Sequence, residues 1–289
     1  MSLVRFQLSP RNTSTIPITI GSQYQYQDRR LIPQTDTADW YCRLVLTMNL
    51  VIDIGNTLTK VFVYKGDRPI ANPTYQSLAV QDLKKIFAKH EVKASILSSV
   101  VKTNRSVVAF LKKNSAFIEL NASTLLPLTN RYKTPGTLGN DRIANAAGAA
   151  KIFPGKNCLV IDCGTCVKYD FIKSGKEYLG GAISPGLLMR YKALNVFTSR
   201  LPLVKPARDV KITGATTEES IISGVQLGML NEMEGYIMRY RKKYNDLKVI
   251  LSGGDAGCFA HLFNFPIFAA PKLTSTGLNE ILQHNISKK

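Results

Sequence analysis

The tetrapeptide Leu-Val-Ile-Asp occurs twice in this chain, at Leu50–Asp53 and at Leu159–Asp162. Each copy runs into a glycine and a hydroxyl residue, as Asp53-Ile54-Gly55-Asn56-Thr57 and as Asp162-Cys163-Gly164-Thr165. A short β-branched apolar run of this kind predicts a buried strand that ends in a carboxylate. The glycine two residues later lets the backbone turn tightly, and the threonine hydroxyl and free N–H groups face whatever sits in the turn. A chain that carries the unit twice is expected to consist of two similar halves. Two such turns facing each other form a phosphate clamp with a carboxylate on each jaw.

The rest of the pattern agrees with an α/β chain. Strands are predicted at 48–54, about 59–65, 94–100 and 117–120, with helices over 76–90 and about 104–113. Lys65–Pro69 reads as a hairpin-type turn. A loop over 129–139 leads to a helix from Asp141 to Phe153, stopped by Pro154-Gly155. The second half repeats the theme, with strands at 158–162, 168–172, 178–183, 248–251 and 267–269. One long helix is predicted from Thr216 to about Tyr244, opened by the capping-box pattern Thr216-Thr217-Glu218-Glu219, and a last helix over 277–284. Strands interleaved with helices, twice over, give one half from 48 to 150 and another from 151 to 289. Residues 1–47 are rich in Gln, Thr, Ser and Arg and lack an apolar targeting core. They are expected to be a disordered extension, or an upstream start added to a protein that begins at Met48.

Bulk properties exclude some classes. No window approaches the roughly 18 apolar residues of a membrane span. The formal net charge is +18, from 38 Lys and Arg against 20 Asp and Glu, but the basic residues are scattered rather than gathered in a nucleic-acid patch. The expectation is therefore no nucleic-acid and no membrane partner; a positive field also attracts anionic small molecules. Five cysteines with no framework spacing suit a reducing cytoplasm. Cys163-Gly164-Thr165-Cys166 matches C-x-x-C but has neither a thioredoxin pattern nor a second ligand pair for zinc, so the glycine turn explains it better.

Phosphoryl transfer needs N–H donors on phosphate oxygens, a divalent cation with carboxylates to hold it, and a base for the acceptor hydroxyl. The first turn offers Asp53, Gly55, Asn56, Thr57 and Lys60; the second offers Asp162, Gly164, Thr165 and Asp170. Neither Gly-x-x-x-x-Gly-Lys-Ser/Thr nor Gly-x-Gly-x-x-Gly after a strand is present. The duplicated acidic turns indicate instead the actin, hexokinase and Hsp70 type of ATP site: two related ribonuclease H-like domains with a nucleotide cleft between them. Gly253-Gly254-Asp255 after a strand permits close approach of backbone to an adenosine, or forms a plain turn.

Taken in order, Asp53-Ile54-Gly55-Asn56-Thr57-x-x-Lys60, Gly136-x-x-Gly139-x-Asp141-Arg142, Asp162-x-Gly164-Thr165 and Gly253-Gly254-Asp255 resemble the type III pantothenate kinases from Met48 to near the C-terminus. The Gly-x-Asp-Arg element is the most specific part. The resemblance implies ATP-dependent phosphorylation of the terminal hydroxyl of pantothenate, the first step of coenzyme A synthesis. It further implies that Asp53, Ile54, Gly55, Asn56, Thr57, Leu58, Thr59, Lys60 and Thr165 hold ATP and its Mg²⁺ or similar divalent cation. Asp141 would be the proton acceptor; Tyr132, Gly139, Asn140, Asp141, Arg142 and Thr217 would line the pantothenate pocket; and Asp162 would bind a monovalent cation, K⁺ or NH₄⁺. Asp141 is placed at a helix N-terminus, where the dipole favours a carboxylate, although a plain helix cap has the same signature. Gly224-x-x-x-Gly228 and Gly235 allow close helix packing, within the chain or across a two-fold axis; the resemblance favours a homodimer with pantothenate held near the interface.

The second turn departs from the family pattern, which reads Asp-x-Gly-Thr-Ala-x-Thr-x-Asp. Here Cys166 replaces Ala and Lys168 replaces Thr. Lys168 either supplies charge near the phosphate or cation site or points away on its strand. Two rival readings are a kinase of the same superfamily for another small hydroxy or carboxylic acid, and a non-catalytic regulatory protein that keeps the ATP fold. The Gly-x-Asp-Arg element argues against the first, and retention of Asp53, Asp141 and Asp162 against the second.

Overall fold

The computed structural model describes residues 48–288, so the expectations for residues 1–47 lie outside the described part. The first repeat forms β1 (Met48–Ile54), whose Leu50, Val51 and Ile52 are fully buried. It returns antiparallel as β2 (Thr59–Lys65), and Gly66, at φ 58°, turns the chain into the antiparallel β3 (Arg68–Ala71). The two-residue β4 (Thr74–Tyr75) pairs with the start of β2. After α1 (Val80–Lys89), β5 (Val92–Ser99) joins the other side of β1 in parallel; after α2 (Arg105–Asn114), β6 (Ala116–Glu119) joins β5 in parallel. The strand order is β3-β2-β1-β5-β6.

The second half follows the same path. After the short β7 (Thr129–Asn130) and α3 (Asn140–Ile152), the second repeat forms β8 (Cys158–Cys163), every residue of it buried. β9 (Cys166–Lys173) and β10 (Glu177–Pro185) return antiparallel, whereas β11 (Lys248–Ser252) and β12 (Phe268–Ala269) add in parallel on the other side. The order β12-β11-β8-β9-β10-β7 matches the first sheet strand for strand, with β7 added at the edge. The repeat noticed in sequence is thus the central strand of each sheet.

Between β10 and β11 the chain forms α4 (Leu187–Val196), a helix that hydrophobic spacing did not mark because Leu188, Met189 and Val196 on it are exposed while Leu187 and Tyr191 are buried. The helix predicted from Thr216 is present in three pieces: α5 (Thr217–Ile222), a π-helical turn at Ser223–Leu227, and α6 (Gly228–Lys243). Only half of the expected capping box forms. Thr216 Oγ1 accepts the Glu219 amide at 3.2 Å, but the Glu219 carboxylate accepts from the Ala215 amide and Lys211 instead of reaching back to residue 216.

The last helix, α7 (Leu273–Ile286), crosses α3 at glycine. A Cβ on Gly277 would lie 1.7 Å from the Ala144 carbonyl oxygen, and one on Gly148 would lie 2.6 Å from that of Leu273. This close approach is why α3 is built from Ala144, Ala146, Ala147, Gly148 and Ala149 and is buried almost all round. α3 rests on β8 and β9, while α7 rests on β1 and β5. Hydrogen bonds from Asn49 to Asn279 (2.9 Å) and between Tyr64 and Ser275 (2.9 Å) fix α7 to the first sheet. Each half thus lends a helix to the other half's sheet.

Candidate active site

The two repeats end at turns of different length. Between β1 and β2 lie Gly55, Asn56, Thr57 and Leu58, closed by the Gly55 amide donating to the Leu58 carbonyl at 3.0 Å, with Asn56, Thr57 and Leu58 exposed. Between β8 and β9 lie only Gly164 and the exposed Thr165, closed by the Gly164 amide and the Cys166 carbonyl at 3.1 Å. Cys163 and Cys166 therefore flank a β-turn as free thiols and do not open a helix, which removes a thioredoxin-like reading. Gly253, at φ 93°, presses against the second turn: a Cβ there would lie 2.2 Å from the Cys163 carbonyl oxygen and 2.6 Å from Asp162 Oδ1. The neighbouring Gly254 has no atom within 4 Å of such a Cβ, so the open side of this loop belongs to residue 254.

Registers place the same three residue types at both sheet centres. Asp53 stands opposite Lys60 on β2 and Ser98 on β5; Asp162 stands opposite Lys168 on β9 and Ser252 on β11. Cross-strand partners share a face, so each carboxylate has a lysine on one side and a serine on the other. The environments then diverge. Burial pushes the Asp53 carboxyl from the usual 3.8 up to about 6; Lys60 opposes this, while Asp141 and Asp162 add to it. Lys60 is exposed, and the Ser98 hydroxyl is buried without a hydrogen-bond partner among the described residues. In the second copy the Lys168 ammonium lies 2.8 Å from Asp162 Oδ2, and the Ser252 hydroxyl donates to the Ala270 carbonyl at 2.9 Å.

The Gly-x-Asp-Arg element opens α3, with Gly139 as N-cap and Asp141 in the first turn. Asp141 Oδ1 accepts the Arg142 amide at 2.8 Å, and Oδ2 accepts from Lys168 Nζ at 2.5 Å. A Cβ at Gly139 would lie 2.6 Å from Asp141 Oδ1, so glycine leaves the carboxylate its place. One turn further along α3, Asn145 donates to Asp162 Oδ2 at 3.2 Å and accepts from Thr274 of α7 at 2.8 Å. Asn145 was not singled out in sequence; a buried asparagine four residues after Asp141 in an alanine-rich helix is the signal that points to it. Lys168 joins Asp141 at the head of α3 to Asp162, and the Asp53 carboxyl is within reach of the charges of all three.

Arg142 serves a different purpose from a free carboxylate fork. Its Nε and Nη2 both donate to Asp170 Oδ1, at 2.9 and 2.7 Å, and Tyr178 donates to the same oxygen at 2.7 Å. Both partners are buried, and Asp170 Oδ2 has no hydrogen-bond partner among the described residues. Burial pushes Asp170 upward against the pull of Arg142. The Arg142 guanidinium also lies over the Tyr132 ring at 5.5 Å, which joins Tyr132 to the network. Asn140 donates to the Leu120 carbonyl and borders a cavity of about 570 Å³ with Ser99, Lys102, Arg105 and Lys112 on its walls. Thr217 is exposed on α5 and makes no hydrogen bond to this cluster among the described residues.

The divalent cation of an ATP site fits Asp53, a desolvated carboxylate with no hydrogen bond among the influences on it. A magnesium ion takes one or two carboxylates and completes its shell with phosphate and water, so the lack of any group of three or more metal-ligating side chains among the described residues does not oppose it. A monovalent ion at Asp162 does not fit in the same way, because Lys168 and Asn145 already occupy Oδ2.

Duplicated sheets whose central strands each end by a carboxylate, with a third carboxylate at the head of α3 joined to the second of them, fit an ATP-dependent phosphotransferase of the actin-like class. The type III pantothenate kinase family matches residues 49–239. A type III pantothenate kinase of Christiangramia forsetii is 42% identical over 242 residues, covering 82% of this chain and 99% of the relative. One of Cytophaga hutchinsonii is 41% identical over 239 residues, covering 83% and 100%. This chain belongs to the type III pantothenate kinase family. Among solved structures, a Campylobacter jejuni protein described as a conserved Baf family transcriptional activator shares the fold, with a TM-score of 0.55, 22% identity and coverage of 82% of this chain and 99% of that one.

Proposed function

We infer that the chain transfers the γ-phosphoryl group of ATP to the terminal hydroxyl of pantothenate, the first step of coenzyme A synthesis. The single observation that carries this beyond family membership is the joining of Asp141, at the head of α3, to Asp162 through Lys168, within reach of the Asp53 carboxyl's charge. The first turn, Asp53–Lys60, cradles the triphosphate through its backbone amides and Thr57, and Thr165 faces it from the second turn. Asp53 holds the divalent cation, which neutralises phosphate charge when bound. Asp141 accepts the proton of the attacking hydroxyl. Deprotonation is late in a loose phosphoryl-transfer transition state, which suits a carboxylate with hydrogen bonds on both oxygens.

Tyr132, Gly139 and Asn140 border the acceptor. Arg142 holds the wall of that pocket through Asp170, which Tyr178 also bonds. Lys102, Arg105 and Lys112 beside Asn140 give the adjoining cavity a cationic wall, in keeping with an acceptor that carries a carboxylate.

We further place two copies together. A Cβ on Gly224, Gly228 or Gly235 would meet nothing within 4 Å among the described residues, so this small-residue face has room for a close-packed partner. Around it β10, α4 and α6, tied by Glu232 to Ser184 and Arg190, expose Ile183, Leu188, Met189 and Met238. Thr217 then reaches the acceptor pocket from the second copy. The described cysteines are free thiols, in keeping with a cytoplasmic location. A coupled assay of ADP release tests the activity: release that requires pantothenate is expected, and equal release without it, or with unrelated hydroxy acids, would overturn the substrate. A monomer by light scattering at micromolar concentration would remove the second copy.

A further inference from the structure

We propose that Lys168 is a built-in monovalent cation: its ammonium, held between Asp141 Oδ2 and Asp162 Oδ2, neutralises the second jaw and positions the proton acceptor, so that turnover requires neither K⁺ nor NH₄⁺. The inference rests on the phosphoryl-transfer reading for its effect on rate, and on geometry alone for its effect on ion binding.

The geometry is specific. Lys168 Nζ lies 2.5 Å from Asp141 Oδ2 and 2.8 Å from Asp162 Oδ2, with its side chain 17% exposed. Asn145 Nδ2 adds a second donor to the same Asp162 oxygen, and a carboxylate oxygen has two lone pairs to give. The other oxygen, Oδ1, is turned towards Gly253, whose backbone stands so close that a Cβ there would come within 2.6 Å. An alkali ion at Asp162 would have to displace an ammonium of the same charge, tethered to the chain and held by two carboxylates.

Register explains how the chain builds this. Three residues between the paired Cys163 and Val167 set residue 168 opposite residue 162 on a shared face, as four between Ile54 and Thr59 set residue 60 opposite residue 53. In the first half the longer turn leaves Lys60 exposed. In the second, α3 brings Asp141 over the sheet, and the ammonium closes on both acids. Burial works against the charge on Lys168, but Asp162 and Asp141 outweigh it and hold the group above the ordinary lysine range. Without that charge, Asp53, Asp141 and Asp162 would together face an incoming anionic triphosphate. Lys168 is therefore a positioning residue whose loss raises KM for ATP as well as lowering kcat, and whose work a small free cation can take over.

The test uses the full chain in choline, potassium and ammonium chloride at constant ionic strength. Wild-type turnover is expected to vary by less than about twofold among the three; stimulation of about tenfold or more by K⁺ or NH₄⁺ overturns the proposal. Lys168→Thr should lose on the order of 10²-fold in kcat/KM in choline, and K⁺ or NH₄⁺ should restore most of it. A folded variant that neither ion restores overturns the proposal. Lys168→Arg keeps a charge in place and should need neither ion. Thermal unfolding without nucleotide separates this inference from the assigned reaction. K⁺ against choline should raise the melting temperature of Lys168→Thr and leave wild type unmoved, and a K⁺-specific shift in wild type overturns it. If wild type turns over no ATP with pantothenate while the melting pattern holds, the functional reading falls and the tethered cation stands.

Discussion

The two Leu-Val-Ile-Asp strands share sequence, register and neighbours, yet one half keeps its polar groups unspent and the other ties them up. Around Asp53 the lysine is exposed, the serine hydroxyl is buried without a partner, and the carboxyl is pushed up to about 6. Around Asp162 the lysine, an asparagine and the serine all have partners. Buried polar groups without partners cost stability. A protein keeps them where a ligand completes them, so the contrast separates a jaw built to receive from a jaw built to hold still.

The most severe test acts on the group between the jaws. Asp141→Asn should lower kcat by about 10²- to 10⁴-fold while leaving ATP binding measurable by calorimetry; unchanged kcat would remove Asp141 as proton acceptor. Next, one substitution in the two copies should have opposite signs. Asp53 takes up its proton at about 6 when folded and at the usual 3.8 when unfolded. Folding therefore binds protons between those values. Stability falls as pH rises through the window, by about 3 kcal/mol once pH exceeds about 6. Asp53→Asn removes that cost and should stabilise the nucleotide-free protein by up to this amount at pH 8, with the gain shrinking towards pH 4, while abolishing turnover. Asp162→Asn should instead destabilise, by about 1–3 kcal/mol, because Lys168 loses one of its two carboxylates. Urea titrations of both variants decide the matter, and equal signs would break the comparison.

A third prediction sharpens the receiving jaw. Divalent binding to Asp53 competes with its proton, so Mg²⁺ affinity without nucleotide should fall by about tenfold per pH unit below about 6 and level off above it. Calorimetry over pH 5 to 8 checks the break point, about where the raised carboxyl sets it. The smallest effect concerns the serines. Ser252→Ala gives up a hydrogen bond to the Ala270 carbonyl and should cost about 1 kcal/mol, whereas Ser98→Ala removes a buried hydroxyl that bonds nothing and should be neutral or stabilising in the nucleotide-free protein.

The frame of this contrast is legible in the sequence. The doubled strand, its turns and the helix at Asp141 follow from periodicity and glycine placement, and the two-sheet architecture follows from the doubling. Three features were hidden for identifiable reasons. α4 exposes apolar residues on the face that a pattern search expects to be polar. Arg142 looked like an acceptor ligand, but its partner Asp170 lies across a helix–sheet contact that linear spacing does not reveal. The position of Lys168 against Asp162 depends on a three-residue connection between the paired Cys163 and Val167, since a two-residue turn would set Val167 there instead, and its contact with Asp141 depends on how α3 lies over β9, which only packing settles.

The crossing of α3 and α7 bears on the order in which the molecule can be made. Asn49 and Tyr64, near the start of the described chain, bond to Asn279 and Ser275, near its end. During synthesis, which delivers roughly 5–20 residues per second from the N-terminus, the face of the first sheet that receives α7 must wait for almost the whole chain to leave the ribosome. The nascent first half therefore spends several seconds with that apolar face uncovered. Truncation within the last 15 or so residues would leave it uncovered for good, and chaperone demand and loss of soluble yield should follow from the C-terminus more than from any loop.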